Sequence, residues 1–70
     1  MSPQEQYLAA LPTDGSEVKH DDIYWQLRQA GNHQAAAAMH DLRRAGKINT
    51  HVVRVDGETV LYVSRPVQEG

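Results

Sequence analysis

Apolar residues recur at Tyr7, Leu8 and Leu11, then at Ile23, Leu27 and Ala30, then at Ala35, Ala38, Met39 and Leu42. Spacings of three and four put each set on one face of a helix. The local chemistry around each set fits a helix boundary. Ser2 is a cap with Pro3 at the first helical position and Glu5 completing a capping box, and Pro12 stops the first helix. Asp21 and Asp22 offer N-caps for the second, which ends at Gly31. Asn32 caps the third, whose apolar pattern continues through Ala45 and Ile48, and Gly46 closes it behind Arg43 and Arg44. Between the first two helices, Ser16 to Lys19 suits a brief extended segment.

After Lys47 the period changes to two. "INTHVVRV" and "ETVLYVSR" flank Asp56-Gly57, a strong short-range signal for a β-hairpin. A two-residue turn sets Val55 opposite Glu58, Val53 opposite Val60 and His51 opposite Tyr62 on one side of the ribbon. Arg54 then faces Thr59, Val52 faces Leu61 and Thr50 faces Val63 on the other; a bulge at Gly57 would shift this register. One side can cover the helices. The other, with Val53, Val55, Val60 and Tyr62, needs cover from within the chain or from a partner.

Trp25 is a second misfit. It lies about 200° around the helix from Ile23 at 100° per residue, so it either packs between two neighbours or stands exposed as a contact residue; burial between helices is the expectation.

Seventy residues make one domain, residues 1–66, with residues 67–70 as a frayed tail. The longest apolar run, Ala35 to Met39, cannot span a bilayer, and the N-terminus lacks the layout of a signal peptide, so a cytoplasmic protein is expected. With no cysteine, neither disulfides nor a thiolate zinc site enters the reading.

The net charge of −2 hides an uneven distribution. Glu5, Asp14, Glu17, Asp21 and Asp22 against Lys19 make residues 1–27 acidic. Arg28, Arg43, Arg44, Lys47 and Arg54 against Asp41 make residues 28–55 basic. Any surface for a polyanion is therefore local.

Enzymatic chemistry finds no foothold. Among the four histidines, His33 and His40 are about 10 Å apart along a helix axis, too far to share a metal. A metal site from His20, His51 and Asp21 stands against the plainer reading of surface or hydrogen-bonding histidines. Neither a nucleophile motif nor a glycine-rich phosphate loop is present. No catalytic role, cofactor or metal is expected.

Helix, short strand, helix, tight turn, helix and hairpin, carried by "DDIYWQLRQAG", "AAAAMHDLRRAGKI" and "VVRVDGETVLYV", resemble the winged helix-turn-helix DNA-binding superfamily. Leu42, Gly46 and Ile48 match the family's passage from third helix into wing, and the likeness covers nearly the whole chain. One departure is the stretch from Gly31 to Gly46, shorter than in many members, which implies a tight turn.

The resemblance implies a small α+β domain whose third helix enters a major groove of double-stranded DNA while the hairpin wing touches the backbone. His33, Gln34, Ala36, Ala37 and His40 would face the bases. Arg43, Arg44, Lys47 and Arg54 would contact phosphates or a groove, and Asn32 would present helix N–H groups to a phosphate. It implies a transcriptional regulator, expected to be a homodimer through the wing or the first helix, on a site with half-sites about one helical turn apart. Asp41, beside the exposed face, opposes this. The alternative is a winged helix that binds protein rather than DNA, with Trp25, Val53, Val55, Val60 and Tyr62 as partner or dimer contacts.

Overall fold

A computed structural model describes residues 1–66; the expected frayed tail, residues 67–70, lies outside the described residues. The chain is a small α+β unit with the order α1 (Pro3–Ala10), β1 (Val18–Lys19), α2 (His20–Gln29), α3 (Ala35–Arg44), β2 (Asn49–Val55) and β3 (Glu58–Ser64). The strands form an antiparallel sheet in the order β1-β3-β2. Tyr7, Leu11, Ile23, Leu27, Ala35, Ala38, Met39, Leu42, Ile48 and Val63 form the core between the helices and the sheet. Two apolar positions expected to join it, Ala30 and Ala45, are exposed, because each sits at a C-cap where the chain turns away from the core.

Cap chemistry explains the ends of α1. The Ser2 hydroxyl accepts the Glu5 N–H at 3.1 Å, and Pro3 occupies the first turn. Leu11, the residue before Pro12, is already extended (φ −81°, ψ 146°), as the proline ring requires.

The start of α2 departs from expectation. Val18 and Lys19 pair with Val63 and Tyr62, which holds the backbone extended up to Lys19, so the helix begins at His20 with no side-chain cap. Asp21 and Asp22 therefore lie in the first turn, where their charge meets the positive end of the helix dipole. They are not caps.

α3 also starts later than its sequence suggests. Gly31 (φ +95°) closes α2 in a turn that sends the Gly31 N–H to the Arg28 carbonyl and the Asn32 N–H to the Leu27 carbonyl, 3.0 and 2.8 Å. Asn32 is then used inside the link: its Oδ1 accepts the Gln34 N–H at 2.9 Å, and Gln34 rather than Asn32 precedes the helix. The same closing turn recurs after α3. Gly46 (φ +71°) donates to Arg43 and Lys47 donates to Leu42.

The hairpin has the expected register from Val55 opposite Glu58 to Thr50 opposite Val63, unbroken by a bulge. Asp56 (φ 51°) and Gly57 (φ 80°) supply the two left-handed residues of a type I′ turn. Cover is distributed differently from expectation. Val53, Val60 and Tyr62 are half-buried within the sheet, where His51 stacks on Tyr62 with centroids 5.6 Å apart. On the face toward the helices, Val63 is fully covered but Val52 is 59% exposed, because the helices reach only the base of the ribbon. Val52 and Val55 are thus the exposed valines of the hairpin.

Candidate functional site

The outward face of α3 is set by its buried one. Ala35, Ala38, Met39 and Leu42 are buried, so 100° steps leave Ala37, His40 and Arg44 pointing away from the core, with Ala36 and Arg43 on one flank and Asp41 on the other. Four small residues serve two purposes here. Ala35 and Ala38 let the helix pack closely, while Ala36 and Ala37 leave a low surface between larger polar side chains.

The structure sorts the expected contact residues into three groups. Ala36, Ala37, His40, Arg43 and Arg44 share the outward side of α3, and Lys47 follows it, exposed, just past the closing turn. His33 and Gln34 are exposed but precede the helix, on the turn after α2. Arg54 is carried by the hairpin three positions before its glycine and stands exposed there. Asn32 does not belong with them. It is buried, and both its backbone N–H and its Oδ1 are engaged within the turn.

Asp41 has a partner that its sequence neighbourhood does not disclose. The Gln4 side-chain amide on α1 donates to Asp41 Oδ2 at 3.0 Å, directing the carboxylate toward α1. The basic end of α3 is left with Arg43, Arg44 and Lys47.

Behind this face lies a second unforeseen contact. Tyr7 Oη and His20 Nδ1 are 2.8 Å apart in a partly buried hydrogen bond between α1 and α2. Burial holds the His20 imidazole below its usual range, with Asp21 pulling the other way and His40 of α3 reinforcing the shift; burial also pushes the Tyr7 hydroxyl above the usual phenol range. The sequence signal was present only in part, since Tyr7 sits on the apolar stripe of α1 and a tyrosine buried there needs a partner.

His51 pairs instead with Glu17, Nδ1 to Oε1 at 3.0 Å, across the outer face of the sheet. His20 and His51 are thus engaged in separate contacts. Among the described residues, no group of three metal-ligating side chains comes together.

Trp25 is 57% exposed, which corrects the expectation of burial between helices. The buried residues of α2 are Ile23 and Leu27, and Trp25 on the opposite side is left uncovered by the described residues. Trp25 is supported from its own helix. Tyr24 meets it edge-on at 5.5 Å between centroids, and the Arg28 guanidinium lies 5.6 Å from the ring centroid while donating to the Tyr24 hydroxyl.

Among the described residues, no helix is long and apolar enough to cross a membrane. Compared with protein-family models, with curated proteins and with solved structures, the chain matches none of them.

Proposed function

We propose that the chain is a winged-helix domain that binds double-stranded DNA, with α3 in the major groove and the β2–β3 hairpin as the wing against the backbone. Its action would be non-enzymatic, the occupancy of a regulatory site as a transcriptional regulator. The observation that supports this most is the outward face of α3. Ala36 and Ala37 leave room for a groove floor, His40 can hydrogen-bond base edges, and Arg43, Arg44 and Lys47 supply charge where phosphates would run. The hydrogen bond from Gln4 to Asp41 removes part of the objection that a carboxylate beside this face raises.

Fluorescence-anisotropy titration with a random duplex tests the reading. Binding is expected at low salt, declining as salt rises with a slope near −0.9 for each phosphate neutralised. Replacing Arg44 by Ala should weaken binding on every sequence and reduce that slope by about one. Absence of binding at low salt, or binding indifferent to salt, overturns it.

Exposed Trp25 favours a second reading, a winged helix that binds protein through the outer face of α2. Amide shift mapping separates the two. Under the DNA reading a duplex perturbs Ala36 to Lys47 and leaves Trp25 unmoved; under the other a protein ligand perturbs Trp25 while α3 ignores DNA.

A further inference from the structure

The strand order β1-β3-β2 leaves β2 as a sheet edge along all seven of its residues. Which of its backbone groups are unused follows from the turn. In a hairpin closed by two residues, the pair flanking the turn exchanges both of its hydrogen bonds, and bonded and non-bonded pairs alternate from there. Val55, Val53, His51 and Asn49 therefore direct their N–H and C=O groups to β3. Thr50, Val52 and Arg54 direct theirs away from the sheet.

This edge has few of the usual guards. It contains no proline, its one-to-one register rules out a bulge, and Arg54 is its only permanently charged residue. Its two large exposed apolar side chains, Val52 and Val55, are 59% and 49% accessible.

We propose that β2 pairs antiparallel with β2 of a second copy of this chain, about a two-fold axis midway between the two Val52 residues. The spacing of the free groups argues for a second copy. They are symmetric about Val52, so an antiparallel copy sets Thr50 against Arg54′, Val52 against Val52′ and Arg54 against Thr50′, and every outward N–H and C=O finds a partner. A register centred on His51 or Val53 satisfies only two of the three residues. One centred on Arg54 sets like charges face to face. The Val52 register also separates the two Arg54 side chains by roughly 14 Å along the strand. It covers Val52 with its own copy and lays Val53 beside His51′ on the other face. The result is a continuous six-stranded sheet with an isologous interface.

Such an edge buries less than the about 1,200 Å² of a standard interface, so the dissociation constant is expected between about 10 μM and 1 mM. Sedimentation equilibrium of the intact chain over that range, without DNA, should show the mass rising from one chain toward two. Backbone amide exchange at Thr50, Val52 and Arg54 should slow about tenfold across the same range. Val52→Pro deletes an N–H that no strand of the monomer uses, and Val52→Lys keeps the backbone intact should the first variant fail to fold. Both are expected to stay monomeric with unchanged circular dichroism. Trp25→Ala should dimerise like the parent. A parent that stays monomeric to 1 mM overturns the proposal, as does a dimer whose Thr50, Val52 and Arg54 amides exchange at the monomer's rate. So do a Val52→Lys chain that still dimerises and loss of the dimer in Trp25→Ala. None of these outcomes bears on whether the chain binds DNA.

Discussion

α2 and α3 are ten-residue helices closed by the same glycine turn, yet their outward faces share little chemistry. α2 presents Trp25 with Arg28 beside it and Asp21 and Asp22 in its first turn. α3 presents two alanines with His40, Arg43 and Arg44. Their inner faces do one job, packing against the same core, so nothing about folding requires the outer faces to differ. The difference marks where binding is to be sought: a bulky aromatic face on one helix, a low basic one on the other.

The largest effect expected from testing this division comes from the inner side of α3. Leu42→Ala should cost about 2–5 kcal/mol, a large share of what a domain of this size holds. Ala37→Leu, five positions earlier and facing outward, should change stability by no more than about 0.5 kcal/mol. Chemical denaturation of both variants checks the contrast. A cost above about 1 kcal/mol for Ala37→Leu would show that the face is not free.

That division was readable from the sequence, and so was the hairpin, because both depend on local periods and on one turn. Asp56-Gly57 fixes the pairing from Thr50 to Val63 without reference to the rest of the fold. What escaped the sequence depends on contacts made at a distance. The pairing of Val18 with Val63 decides that α2 starts at His20, and the turn that closes α2 draws Asn32 into itself, so neither helix begins at its best capping residue. Trp25 departs from its expected burial for a related reason. A helical period tells which residue opposes the apolar stripe, but not whether a further element lies there. The exposed side of α3 was legible and the burial of Asn32 was not, and the Gln4–Asp41 bond, thirty-seven positions apart, left no local trace.

The seam between α1 and α2 gives the next effect. Tyr7→Phe leaves His20 Nδ1 without its partner and should cost about 1–3 kcal/mol near neutral pH. Because burial lowers the His20 pKa, the folded state binds fewer protons than the unfolded chain below the ordinary imidazole value near 6.5. Stability from this source is full above that value and declines as pH falls toward the folded-state pKa. Thermal midpoints measured from pH 8 to pH 5 should fall more steeply in the parent than in His20→Gln. Parallel curves would remove His20 from the account.

The shared closing turns predict a smaller, unequal pair. A Cβ at Gly31 or Gly46 meets nothing within 4 Å, so an alanine there costs backbone strain alone. Gly46 (φ +71°) lies close to the left-handed minimum that other residues can reach, while Gly31 (φ +95°) lies further from it. Gly46→Ala should cost about 1 kcal/mol and Gly31→Ala more, by urea denaturation; the reverse order would mean that the two turns are not equivalent.

The smallest effects bear on the outward face of α3, where folding and binding should separate. The Gln4–Asp41 hydrogen bond is exposed, so Gln4→Ala should alter stability by no more than about 0.5 kcal/mol. Its expected consequence lies in DNA binding. Freed from α1, the Asp41 carboxylate can swing toward the phosphates beside Arg44, and Gln4→Ala should weaken duplex binding by about threefold at low salt. Asp41→Asn should strengthen it by a similar factor, and the double variant should match Asp41→Asn alone, since Gln4 would then have no charge to restrain. Equal losses from Gln4→Ala with and without Asp41→Asn would place Gln4 itself at the DNA, and would move the interface from the middle of α3 toward the start of α1.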